Sequence, residues 1–189
     1  KTTTAGGRFL TYASVIDNRT CDHVCITPAP LQDGPLWVSN SAHASGAAGT
    51  NWRTDLELRN PYADQAAYRI ELLKKTTPGS TPPDNTRPLS QSYTLGAGQA
   101  MRYPDLVDSL FHFSGAAALR IVPTSGVLHG TSRTYNLMVA GNPLGLPPGA
   151  TFGQFVPALA ESEAVNATEA AQLLMLSQDA NYRTNLGLV

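Results

Sequence analysis

Asn51-Trp52-Arg53-Thr54-Asp55-Leu56-Glu57-Leu58-Arg59 is the stretch that decides the fold. Trp52, Thr54, Leu56 and Leu58 alternate with Arg53, Asp55, Glu57 and Arg59. Successive side chains of a strand point to opposite faces, so this period of two describes a strand with one buried and one wet face. Trp52, Leu56 and Leu58 fall on the buried side. The pattern returns 130 positions later as Asn181-Tyr182-Arg183-Thr184-Asn185-Leu186-Gly187-Leu188. Using one strand twice at that distance is the mark of a repeat architecture.

Two further pairs support the repeat. Ile26-Thr27-Pro28-Ala29 matches Val156-Pro157-Ala158 with Pro28 on Pro157, an offset of 129. Thr11-Tyr12-Ala13-Ser14-Val15-Ile16-Asp17-Asn18 matches Gly130-Thr131-Ser132-Arg133-Thr134-Tyr135-Asn136, more weakly, with Asn18 on Asn136. The chain thus reads as closing strands of one repeat over 1–31, a complete sandwich over 36–159 and opening strands of a further repeat over 170–189. Asn18 and Pro28 are 10 positions apart, whereas Asn136 and Pro157 are 21 apart, so the complete repeat carries an insertion. Its apolar residues Leu137, Met138, Val139, Leu144 and Leu146 make a candidate interface loop, because inserted loops on rigid scaffolds are where specificity collects. The plainer alternative folds Leu137, Met138, Leu144 and Leu146 back over the core.

Strand signals continue along the chain. Tyr68, Ile70 and Leu72 alternate with Arg69 and Glu71. Pairing of this segment with 52–59 would set Arg against Glu or Asp on the wet faces, each pair worth ~0.2–1 kcal/mol. Other strands are expected at 7–17, 36–41, 91–95, 117–122, 127–135, 151–157, 172–176 and 181–189, with turn residues at sandwich-like intervals. Residues 75–89 read as a long polar, Pro-rich loop. One helix is expected to open at Pro104-Asp105, with Leu106, Val107, Leu110 and Phe111 on its apolar face and Gly115 beyond its end. The expected fold is all-β: antiparallel, immunoglobulin-like β-sandwich repeats with one short helix in a crossover connection.

The 189 residues are 42% hydrophobic and 14% charged, with a formal net charge of −1. That affords a packed core and gives no basic surface for nucleic acid. No apolar run reaches the ~18 residues of a transmembrane helix. Few charges with many Thr, Ser, Ala, Gly and Pro suit a secreted β-rich protein, so an extracellular or cell-surface location is expected. Lys1 and Val189 both lie in strand-like stretches, which reads as a piece of a longer chain.

Catalytic signatures are missing from the sequence. There is no Gly-x-Ser-x-Gly elbow, His-Glu-x-x-His, Walker loop or dinucleotide fingerprint, so no catalytic residue, cofactor or metal site is assigned and no enzyme is expected. His43, His112 and His129 are scattered, and His129 reads as a structural histidine on a strand. Asp105 and Asp108 suit helix-start capping better than paired acid–base work. Arg53 and Arg183 share the repeated motif. An outward arginine paired with a carboxylate explains them better than ligand binding does. Cys21-Asp22-His23-Val24-Cys25 leaves three alternatives open: a disulfide within or between chains, free thiols, or metal ligation. Residues four apart on one strand are ~13 Å apart, too far for a disulfide, but across a hairpin tip at 19–23 the two thiols could meet. A metal would need about four ligands, and no second cluster is present. Asn18-Arg19-Thr20 and Asn166-Ala167-Thr168 match the N-glycosylation acceptor pattern, a triplet that arises often by chance.

The strings Ala42-His43-Ala44-Ser45-Gly46-Ala47-Ala48-Gly49-Thr50-Asn51-Trp52, Phe111-His112-Phe113-Ser114-Gly115-Ala116-Ala117, Ser132-Arg133-Thr134-Tyr135-Asn136 and Gly153-Gln154-Phe155-Val156-Pro157 resemble tandem repeats of large secreted proteins of environmental bacteria. Those repeats are immunoglobulin- or fibronectin-like sandwiches without an established activity. The resemblance implies a structural or assembly module of a surface, fibre or matrix, its partners being neighbouring repeats or copies of itself, arranged head-to-tail. Cys21 and Cys25 depart from the Gly- or Pro-containing hairpin it implies. The alternative is a carbohydrate- or ligand-binding accessory module of a secreted enzyme, with Trp37, Tyr62, Tyr68 and Tyr103 as candidate stacking aromatics. The two terminal segments, each too short for its own core, are expected to converge on a second, incomplete sandwich.

Overall fold

A computed structural model of the chain describes residues 11–28, 31, 33–165, 168, 172–174 and 176–179. In chain order the strands are β1 (Ala13–Asp17), β2 (Asp22–Ile26), β3 (Leu36–Ser45), β4 (Asn51–Arg59), β5 (Ala66–Lys74), β6 (Leu89–Leu95), β7 (Ala100–Tyr103), β8 (Gly115–Ser125), β9 (His129–Leu137), β10 (Thr151–Pro157) and β11 (Leu159–Ala160). A one-turn helix, α1 (Leu106–Ser109), lies between β7 and β8.

The fold is an all-β antiparallel sandwich. One sheet runs β11-β3-β8-β5-β6, the other β10-β9-β4-β7, and every pairing is antiparallel. β3 joins both: Leu36 to His43 pair with β8, while Ala44 and Ser45 pair with Trp52 and Asn51 of β4. A register shift between Val38 and Ser41 accompanies this change of sheet. α1 carries the chain from β7 in one sheet to β8 in the other. β1 and β2 form a separate two-stranded hairpin.

Leu56 and Leu58 of β4, Ile70 and Leu72 of β5, and Leu119 and Ile121 of β8 are all fully buried in one core. Burying each such side chain contributes about 1.5–3 kcal/mol. Leu106 and Val107 seal one end of this core from α1. Thr54 also points inward, and its hydroxyl bonds the Ala42 N–H at 2.8 Å and the Thr134 hydroxyl at 2.9 Å.

Several expectations are corrected. The 52–59 and 66–74 strands do not pair; β4 has β3, β7 and β9 as neighbours, and β5 has β6 and β8. Their outer faces are wet only in part: Glu57 and Arg59 are exposed, whereas Asp55 is 8% and Glu71 3% exposed. Glu71 is covered by Arg69 at 2.6 Å and Arg120 at 2.5 Å, and Arg120 stacks on Trp37. Trp52 is only partly buried, because it lies at the end of the sandwich against Gly46, where a Cβ would come within 2.8 Å of the indole nitrogen. The helix is shorter than its apolar pattern, since His112 enters the left-handed region (φ 48°) and the chain turns into β8 at Gly115. β7 and β11 carry no strand signal; three of the four β7 residues are exposed, so no alternation marks it. Residues 172–174 and 176 are not in a strand. The strand expected from residue 7 begins at Ala13, with 1–10 outside the described residues, as is the strand expected at 181–189. No helix among the described residues is long and apolar enough to cross a membrane.

Candidate functional site

The candidate site is a joint between the β1–β2 hairpin and the sandwich edge. β10 is the last strand of its sheet, with β9 on one side only. An edge strand presents unpaired N–H and C=O groups in a row and invites another chain to pair. Here the hairpin tip fills part of the row. The Thr151 backbone N–H donates to Asp17 Oδ2 at 2.8 Å, and the Gly153 N–H donates to Asp22 Oδ2 at 2.9 Å. The Thr20 hydroxyl donates to the Thr151 carbonyl at 2.8 Å, and the Thr151 hydroxyl also donates to Asp17 at 2.8 Å. Two carboxylates and a hydroxyl thereby take the place of a pairing strand. Further along β10, Pro157 has no N–H to offer a pairing strand.

Local chemistry sets this geometry. Asp17 and Asp22 face each other as the last ladder pair below the turn. Arg19 folds back to Asp17, its backbone N–H and Nε each donating to Oδ1 at 3.0 Å. These Arg19 bonds, with those from Thr151, hold the Asp17 carboxyl well below the usual carboxylate range. From the sandwich side Arg133 reaches Asp22 at 3.4 Å and the Thr151 hydroxyl at 3.0 Å, with its guanidinium over the Tyr135 ring. Arg133 Nε is buried without a hydrogen-bond partner. Val24 is buried at 4% exposure, on the face of β2 that lies against β10. Gly153 lets the strands close up, since a Cβ there would sit 2.8 Å from the Thr134 carbonyl oxygen and 2.5 Å from Tyr135 Cβ.

A second cluster grows from the repeated motif. Asp55 accepts hydrogen bonds from Arg102 at 2.5 Å, the Asp105 backbone N–H at 2.9 Å and the Tyr135 hydroxyl at 3.0 Å. Burial, then the Asp55 charge, pushes the Tyr135 phenol well above its ordinary value. Asp105 pairs with His43 at 2.9 Å and Arg53 at 3.1 Å. The outward Arg53 therefore pairs with a carboxylate. Asp105 does not cap α1: it adopts a left-handed conformation (φ 44°) and makes no side-chain cap bond. His43, read as scattered, is drawn to it because β3 runs beside the α1 corner. The ligand atoms of His43, Asp105 and Asp108 lie within 4.8 Å of one another. That is one donor short of a tetrahedral set, and Arg53 already neutralises Asp105. These groups fit a network that braces β3, β4 and α1 better than a cation site.

The remaining candidates are dispersed. Cys21 lies in the turn with φ 56° and Cys25 on β2 opposite Ser14; both are exposed free thiols. The tip opposes Asp17 with Asp22 rather than one thiol with the other, so no bridge closes the hairpin. In the inserted loop Met138 is buried, Leu137 and Leu146 are half-buried, and Val139 and Leu144 are exposed, so the loop is partly folded back and partly presented. Of the aromatic candidates Tyr68 and Tyr103 are buried, with hydroxyls 2.5 Å apart. Trp37 lies against Arg120, and Tyr62 is exposed. A shallow depression of about 310 Å³ is lined by Ala67, Tyr68, Ser92, Tyr93, Thr94 and Thr124. Asn18 of the first glycosylation triplet is exposed, and Asn166 of the second lies outside the described residues. Sequence reasoning missed the joint because its two sides are more than 130 residues apart. The local signal was Asp17-Asn18-Arg19-Thr20, a turn in which Arg19 fixes the carboxylate that then reaches β10.

Fold and joint together define a class: an antiparallel sandwich whose open edge is sealed by the tip of a preceding hairpin. No protein-family model and no curated protein matches the chain. Among solved structures it is similar to the crystal structure of Thermotoga maritima 1070, at 9% identity and a TM-score of 0.43, covering 67% of this chain and 94% of that one. A likeness of that size carries no functional argument.

Proposed function

We propose that the chain is a structural and assembly module of an extracellular, bacterial tandem-repeat protein, a component of a surface, fibre or matrix. The observation that carries this reading is the joint. A hairpin that precedes the sandwich sits on the outer edge of β10 through Asp17 and Asp22. Consecutive units joined in this way would form a string of sandwiches, an arrangement suited to assembly rather than to turning over a substrate. The polar clusters serve the same end, since Arg102 holds Asp55 and Arg69 and Arg120 hold Glu71, each within its own sheet. A carbohydrate-binding reading draws less support, because Tyr62 alone of its four aromatics is exposed by half or more. Negative-stain imaging of the concentrated protein tests the proposal. Linear, head-to-tail particles are expected; isolated single sandwiches at every concentration would overturn it.

A further inference from the structure

We propose that β6 is an edge for strand addition and that its occupant is β6 of a second copy of this chain, paired antiparallel about Ser92. The inference goes beyond the hairpin joint and stands without the tandem-repeat reading.

Among the described residues one sheet ends on β10 and β7, the other on β11 and β6. Three of these ends are blunted. β10 carries Asp17, Thr20 and Asp22 on its backbone groups and ends at Pro157. β7 has four residues, one of them Arg102, and β11 has two. Short strands, charges, prolines and covering groups are how proteins keep an edge from pairing with another chain. β6 has none of these. Leu89–Leu95 runs seven residues in unbroken register along Ala66–Leu72 of β5. It contains no charge and no proline, and no charged residue lies between Arg87 and Arg102 in the sequence. Alternate residues of such a strand direct their N–H and C=O groups away from its one neighbour.

The sequence of β6 says which strand fits it. Set antiparallel against itself with Ser92 on Ser92, it places Leu89 on Leu95, Ser90 on Thr94 and Gln91 on Tyr93. Leucine meets leucine, hydroxyl meets hydroxyl, and an amide meets a phenol. A two-fold contact must be complementary to itself, and a charge on the axis would face its own copy. Here none does. The faces agree as well. Ser90, Ser92 and Thr94 are exposed and stand opposite Glu71, Arg69 and Ala67 on the outer face. Leu89, Gln91, Tyr93 and Leu95 stand opposite Leu72, Ile70, Tyr68 and Ala66, all buried on the inner face. Leu89 is nevertheless 41% exposed, and the second copy lays its Leu95 beside it. Slipping the pair by one residue would turn inner side chains against outer ones. Slipping by two would set Leu95 on Arg87 or Leu89 on Ala97 and leave residues of both strands without a partner.

Cysteine cross-linking of the whole chain, with Cys21→Ser and Cys25→Ser in place, tests both the occupant and the register. Under oxidised glutathione, Ser92→Cys should form a disulfide-linked dimer ~10-fold faster than Ser90→Cys, because Ser92 faces its own copy while Ser90 lies ~13 Å along the strand from its own. A mixture of Ser90→Cys and Thr94→Cys chains should cross-link as readily as Ser92→Cys. Ser92→Lys, at an exposed position, should weaken dimerisation ~5-fold in sedimentation equilibrium while keeping native-like thermal stability. Ile16→Asp on the hairpin should leave the Ser92→Cys cross-link in place, which separates this contact from head-to-tail assembly. Equal cross-linking from positions 90, 92 and 94 would overturn the proposal, as would unchanged dimerisation in Ser92→Lys. A β6 that stays single at every concentration, or that takes up an extended peptide of another protein instead, would overturn the choice of a second copy.

Discussion

Replacing Asp22 with alanine should open the joint without unfolding the sandwich. Asp22 accepts the Gly153 N–H at 2.9 Å and lies 3.4 Å from Arg133. A hydrogen bond to a charged group contributes about 1.5–3 kcal/mol net. The Asp22 side chain is 21% exposed and the Arg133 contact is long, so water replaces part of the loss and the lower end, about 1.5 kcal/mol, applies. That corresponds to roughly 10-fold in an opening equilibrium. Amide exchange read by NMR should therefore show Gly153 about 10-fold faster in Asp22→Ala. Leu56 and Leu58, in the centre of the sheet, should keep their native rates. Asp22→Asn, which retains an acceptor oxygen, should lose less. Unchanged Gly153 exchange in a stable Asp22→Ala protein would refute the claim that the carboxylate takes a strand's place.

Three more outcomes follow from the same geometry. Leu56→Ala, at a fully buried position, should cost about 2–5 kcal/mol in urea unfolding, and a loss under 1 kcal/mol would contradict its place in the core. Gly153→Ala should destabilise β10 and weaken the hairpin contact, because its Cβ would meet the Thr134 carbonyl oxygen and Tyr135; native-like thermal stability and exchange would contradict the close approach. Asp17 has its carboxyl pKa lowered by Arg19 and Thr151, so its contribution is present above the unfolded value of about 3.9 and is lost as pH falls below it. Stability should begin to fall below about pH 4, while the Thr151 signal that reports Asp17 protonation should move only well below the usual carboxylate range, and Asp17→Asn should remove both effects.

The sandwich was legible where one strand buries one face. Leu56, Leu58, Ile70, Leu72, Leu119 and Ile121 are all core residues that alternation picks out. What alternation could not supply is which strands are neighbours. β4 and β5 follow one another in sequence but lie in opposite sheets, and only the complete set of pairings reveals it. Nor does alternation separate a wet face from one covered by arginines: Glu71 reads as solvated and is enclosed by Arg69 and Arg120. β7 was silent because an edge strand with three exposed residues has no face to bury. The joint depends on side chains reaching backbone amides more than 130 residues away, an arrangement without periodicity. Its two acids looked like ordinary turn residues.

Sedimentation velocity of the full chain over a wide concentration series tests the account most directly. An assembly module whose β1 has β2 as its one strand neighbour among the described residues should show a sedimentation coefficient that climbs with concentration beyond the single-chain value, and Ile16→Asp, at an exposed position, should flatten the climb. A constant single-chain coefficient across the series, identical in the native and Ile16→Asp proteins, would contradict the assembly account.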